Sequence, residues 1–117
     1  MLILLDECVP HQLRRLLTGH NVRLIHEMGW AGRNIGQLLR LMAEQAMDVL
    51  VTVDQNLRYH QNPYRLGLAV VVLVAKTIRL KDLRSLIPQT LAVLKNFPRA
   101  KWLKFPRIDA GIDRASG

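Results

Sequence analysis

The chain opens on Met1-Leu2-Ile3-Leu4-Leu5, runs straight into two carboxylates, Asp6 and Glu7, and then reaches Cys8-Val9-Pro10. An apolar run this short, with no polar alternation, reads as a strand buried on both faces. Such strands belong to mostly parallel sheets sandwiched between helices, so this stretch directs the chain toward an α/β fold. In an open parallel sheet the ligand crevice lies outside the carboxyl ends of the strands. Asp6 and Glu7 therefore stand at the mouth of a site. A second apolar run ending in acid, Val49-Leu50-Val51-Thr52-Val53-Asp54, brings Asp54 to the same edge.

The remaining segments fit that plan. Pro10 suits the first turn of a helix, where its missing N–H costs nothing, and Leu13, Leu16 and Leu17 recur at helical spacing up to Gly19. Val22 to Ile25 predicts a second strand. Gly29 to Asn34 reads as a loop, and Asn34 with Gln37 three residues on forms a capping-box pattern. Leu38, Leu39, Leu41, Met42 and Ala46 mark the apolar face of the helix that follows. The polar stretch 54–63 predicts no regular structure, Tyr64 to Gly67 one helical turn, and the valine-rich Leu68 to Ala75 a central strand. Helical spacing returns from Leu80 to Phe97, where Pro88 must kink the helix or begin a new one. Lys101 to Phe105 alternates charged and apolar residues like a half-exposed edge strand. The expectation is one domain over residues 1–107, a doubly wound α/β sandwich of about five mainly parallel strands, with 108–117 as a flexible tail.

A chain of 117 residues, half of them apolar, buries enough surface to fold without staples. Its one cysteine excludes a disulfide framework and a Cys-rich zinc cluster, which suits a reducing cytosol. No apolar run approaches the roughly 20 residues of a membrane-spanning helix. The early Asp6-Glu7 pair interrupts the first run too soon for a signal peptide. Seventeen Lys and Arg against nine Asp and Glu give a formal charge of +8, an excess that points to a polyanionic partner, most simply nucleic acid. The distribution sharpens this. Acids stand at strand ends, while Arg14, Arg15, Arg33, Arg58, Arg84 and others lie on the helices and loops around them.

Three carboxylates at one edge repel each other when ionised, and a hard divalent cation relieves that repulsion. Mg²⁺ or Mn²⁺ takes oxygen ligands, keeps several waters, and needs only one or two direct carboxylates beside a phosphate substrate. Asp6 and Asp54 are the expected ligands. Glu7, adjacent to Asp6 in an extended segment, faces the other way, toward the first helix or a backbone cap. Asn56, two positions after Asp54, reads either as an accessory oxygen ligand or as a turn former. His26 and His60 read as proton carriers, phosphate contacts or ordinary surface histidines. Cys8 reads as a small packed residue, because no histidine is placed to activate it. Trp30 either stacks on a base or anchors its loop. Lys76, at the end of the valine-rich strand, either binds phosphate or solvates the strand end.

Leu-Leu-Asp-Glu-Cys-Val-Pro at 4–10, Met-Gly-Trp-Ala-Gly at 28–32, Leu-Leu-Arg-Leu-Met-Ala-Glu at 38–44 and Val-Thr-Val-Asp-Gln-Asn-Leu at 51–57 follow in order. Over about residues 1–105 the chain resembles the short stand-alone PIN-like proteins, relatives of the VapC toxins and other PIN-domain ribonucleases. The resemblance implies a three-layer α/β/α sandwich whose strand-end acids bind Mg²⁺ or Mn²⁺ and cleave RNA. It also implies a toxin with a cognate antitoxin protein, and a homodimer. Asp6 matches the acid after the first strand and Asp54 the acid after the third. Asn56 stands where relatives often carry a further Asp. Gln37, in the turn Asn34-Ile35-Gly36-Gln37, replaces the acid that opens the corresponding helix of relatives. Two amides in place of carboxylates hold a cation less tightly, unless Glu7 or Glu27 supplies the missing charge. Arg33, Arg58, His60 and Trp30 are the expected RNA contacts.

Three functions follow. The first is a metal-dependent ribonuclease. The second is a degenerate PIN-like domain that binds RNA or a partner protein without cutting. The third is a phosphoacceptor receiver domain, suggested by the acid pair after strand one, Asp54 after strand three and Lys76; the basic charge and the loop after Asp54 argue against it.

Overall fold

The computed structural model describes residues 1–55, 63–95 and 107–111. Strand β1 is Leu2–Leu5, β2 is Asn21–Leu24, β3 is Val49–Thr52 and β4 is Ala69–Val74. They form a parallel sheet in the order β2-β1-β3-β4. The unbroken apolar runs predict this arrangement, since a parallel strand with helices on both sides has no solvent face. Ladder bonds continue beyond the strands: the Asp6 N–H donates to the Val51 carbonyl at 2.9 Å.

Strand parity divides the core between the two faces of the sheet. Ile3, Leu5, Val49, Val51, Ala69, Val71 and Leu73 join one cluster with Leu13, Leu83 and Leu94. That face is covered by a 3-10 segment, His11–Leu16, and by helices α2 (Leu80–Arg84) and α3 (Ile87–Lys95). Leu4 and Leu50 point the opposite way and meet Trp30, Leu38, Leu39 and Met42, where helix α1 (Ile35–Glu44) lies. Helices thus cover both faces of the sheet. No helix among the described residues is long and apolar enough to cross a membrane.

The helix expected after Pro10 is a 3-10 segment. No side chain caps its start, and the Leu13 N–H reaches the Pro10 carbonyl three residues back at 3.1 Å. Only eight residues separate Pro10 from Gly19, which turns the chain with φ +83°, too few to favour an α-helix without caps. Helix α1 begins where its capping box predicts. It ends earlier than the apolar spacing suggests, and Ala46 is exposed in the left-handed region at φ +55° instead of on the helix face. The helical stretch from Leu80 breaks into α2 and α3, with Pro88 in the first turn of α3, where its lost N–H has no partner to forfeit.

Residues 63–66 form a 3-10 turn, close to the single helical turn expected there. The edge strand expected at 101–105 lies outside the described residues. The segment Arg107–Gly111 (β5), which runs from the last residue of the expected domain into the expected tail, is extended and pairs in parallel with β4, with Val70 opposite Arg107 and Val74 opposite Gly111.

Candidate active site

The order β2-β1-β3-β4 reverses direction between β1 and β3. Connections leave these neighbours toward opposite sides, which opens a crevice beyond their carboxyl ends. Asp6 follows β1 and Asp54 follows β3, so the two expected ligands share that crevice.

Thr52 organises the crevice. It is fully buried at the last position of β3, and its hydroxyl donates to Asp6 Oδ2 at 2.7 Å. The same oxygen accepts the Asp54 N–H at 3.1 Å. One hydroxyl therefore fixes the carboxylate of one strand and the backbone of the next. Asp6 is bound further by the Glu7 N–H, which donates to Oδ1 at 2.8 Å, and by the Cys8 thiol, 3.6 Å from Oδ2. With Oδ2 taken by two donors, the free lone pair of Asp6 lies on Oδ1.

Cys8 is an exposed residue, but its sulfur sits between Asp6 and Thr52, 3.6 Å from each. Partial burial pushes the thiol pKa above its ordinary 9.0, and the Asp6 charge acts in the same direction. Such a thiol stays protonated at neutral pH and is no nucleophile.

Glu7 lies in a turn, closed by the Val9 N–H on the Asp6 carbonyl, and not in the extended segment expected, and its Oε1 accepts the Gly32 N–H at 3.4 Å. It ties the first loop to the glycine-rich loop before α1. Between the ends of β1 and β2 lies a cleft of about 190 Å³ lined by Asp6, Glu7, His11 and His26. His26 thus joins the acids. So does His11, which sequence reasoning missed because it sits beyond Pro10 in an expected helix.

Other expected site residues are committed elsewhere. Glu27 is ion-paired with Arg14 and accepts the Leu24 N–H at 2.9 Å, so it caps its own segment and does not supply the charge missing at Gln37. Arg14 first, and the Leu24 N–H second, hold its carboxyl below the ordinary 4.5. Asn34 and Gln37 close a capping box, with Asn34 Oδ1 accepting the Gln37 N–H at 2.8 Å and Gln37 Oε1 accepting the Asn34 N–H at 3.1 Å. Each side-chain oxygen is thus engaged in the cap. Trp30 is 8 % exposed and packs with Leu4 and Leu50, which makes it a loop anchor and not a base-stacking platform. Arg33 is exposed beside that loop, and Lys76 is exposed just past β4. Asn56, Arg58 and His60 lie outside the described residues.

Among the described residues no three His, Cys, Asp or Glu side chains gather as a metal cage. Two carboxylates at one edge, one of them offering a single oxygen lone pair, fit a Mg²⁺ or Mn²⁺ that keeps most of its water. They do not fit a dehydrated ion. Thr52 is the other site residue that sequence reasoning missed; its only signal was a lone polar residue inside an otherwise apolar strand. No family model matches the chain, and no curated protein or solved structure matches it either.

Proposed function

We propose that the chain is a PIN-like, metal-dependent endoribonuclease, a three-layer α/β/α sandwich of about five strands. One observation supports the reading: the Asp6 carboxylate and the Asp54 backbone N–H share the buried Thr52 hydroxyl at the β1/β3 reversal, on a chain of charge +8. Asp6 and Asp54 would hold Mg²⁺ or Mn²⁺. The ion, when bound, lowers the pKa of a water and neutralises charge on a phosphodiester. The protein's own contribution is positional. Thr52 and the Glu7 N–H orient Asp6, and His26 and His11 line the neighbouring cleft within reach of a phosphate or a proton. A cognate antitoxin and a homodimer belong to the same proposal.

The test is cleavage of single-stranded RNA across a Mn²⁺ titration. Asp54→Asn abolishes cutting and leaves the thermal transition in place; metal-dependent cutting that survives this change refutes the assignment.

The absence of a three-acid cage among the described residues favours a second reading, an RNA-binding relative that does not cut. It requires salt-sensitive RNA binding with no cleavage in either metal. The strand order also occurs in receiver domains; phosphorylation of Asp54 by a small phosphodonor would displace both readings.

A further inference from the structure

Beside the acidic crevice, on the face of the sheet covered by His11–Leu16 and α2, lies a larger cleft of about 440 Å³. Arg14, Arg15, Arg84 and His11 line it over a floor that includes Leu24 and Leu80. His11 also lines the cleft that holds Asp6 and Glu7, so the two open onto the same side chain. The Arg14 guanidinium is anchored by Glu27, while its Nε is buried with no hydrogen-bond partner. Arg15 and Arg84 are exposed, with their charges at the surface.

We propose that this cleft carries the phosphate backbone of single-stranded RNA into the acidic crevice, with Arg15 and Arg84 as the phosphate contacts and Arg14, neutralised by Glu27, as part of the wall. The assignment rests on the ribonuclease reading for the choice of RNA. Guanidinium forks match phosphate oxygens, and the volume lies in the range of roughly 300–1,000 Å³ that takes a small ligand, room for a nucleotide unit and not for a duplex. Three arginines and a histidine around an apolar floor of Leu16, Leu24 and Leu80 suit a chain that pairs phosphates with the apolar faces of its sugars and bases. The expected contacts Arg33 and Trp30 belong to the loop before α1, across the sheet from it.

Binding of a fluorescent single-stranded RNA is measured by anisotropy in EDTA between 50 and 200 mM salt, and cleavage is measured separately in Mn²⁺. The slope of log K against log salt falls by about 0.7 for each phosphate no longer neutralised, so R15A/R84A flattens it by about 1.4. The charge-matched control R40A/R65A removes two exposed arginines away from the cleft and keeps the slope. Equal flattening by both pairs overturns the proposal, leaving only net charge. A glutamate-rich peptide bound as tightly as the RNA also overturns it, assigning the face to an acidic protein segment. Wild-type protein that binds through Arg15 and Arg84 yet never cuts supports the cleft and refutes the nuclease. Cutting with a slope indifferent to R15A/R84A does the reverse.

Discussion

Replacing Thr52 by Val keeps the shape of the side chain and removes one oxygen, so it isolates the hydroxyl that joins the two acidic loops. The oxygen has two partners, Asp6 Oδ2 at 2.7 Å and the Asp54 N–H at 3.1 Å. A hydrogen bond to a charged group contributes about 1.5–3 kcal/mol. Asp6 is half-buried and regains part of this from water, and the Asp54 backbone lies at the exposed mouth, so the lower end applies. The expected loss is about 1.5 kcal/mol, or a Tm lower by roughly 6 °C for a domain of this size. Valine suits a buried strand at least as well as threonine, so propensity pulls the other way. On the proposed nuclease reading the functional effect exceeds the structural one, because loosening a group that orients a metal ligand costs about 10–100-fold in affinity or activity. Differential scanning calorimetry and the Mn²⁺ dependence of cleavage read the two effects. Thr52→Ser, which keeps the hydroxyl, restores the metal dependence while losing some packing. A double-mutant cycle with Asp6→Asn isolates the pair. A Thr52→Val protein with unchanged Tm and unchanged metal dependence would show that the hydroxyl is a bystander.

Three further outcomes follow from local geometry. Asn34→Ala removes the acceptor of the Gln37 N–H at the start of α1 and lowers stability by about 1 kcal/mol in chemical denaturation; no change would mean water replaces the cap. Ala46→Gly relieves a left-handed residue and raises the denaturation midpoint by roughly 0.5–1 kcal/mol of stability; a lower midpoint would contradict the strained backbone. Glu27 has its pKa depressed by Arg14, so its contribution is full above the ordinary 4.5 and is lost as pH falls through the lower folded value. Glu27→Gln therefore flattens the acid side of the stability profile below about pH 4.5, and a profile with unaltered slope there removes the ion pair from the account.

Much of the fold is legible because it is local. Strands β1, β3 and β4 declare themselves by unbroken apolar runs, and the capping box of α1 needs only residues three apart. The carboxyl-edge position of Asp6 and Asp54 follows from strand ends alone. What escapes the sequence is pairing across distance. Thr52 meets Asp6 from 46 residues away, and nothing near either residue announces it. Glu27 looks like a spare charge until Arg14, 13 residues earlier, is seen to take it. Trp30 in a glycine-rich loop looks exposed because loops usually are, but the sheet face beneath it is apolar and draws it in. The 3-10 segment defeats the periodicity argument because Leu13, Leu16 and Leu17 suit either helix type over so short a run.

The central place of β1 also bears on how the chain is made. Strand β1 precedes β3 in synthesis, yet β3 is its neighbour on one side, with Ile3 opposite Val49. Until Val49 to Thr52 leave the ribosome, Leu2 to Leu5 have only β2 to pair with, and one bare apolar edge invites pairing with other chains. Asp48 closes that interval: its side chain accepts the Leu2 N–H at 2.9 Å just as β3 begins. The nascent chain thus has a defined vulnerable window, between the emergence of β2 and that of Asp48. Ribosome-stalled chains long enough to expose Asp48 to Thr52 outside the exit tunnel should differ sharply, in their hold on ribosome-bound chaperones, from chains that expose β2 alone.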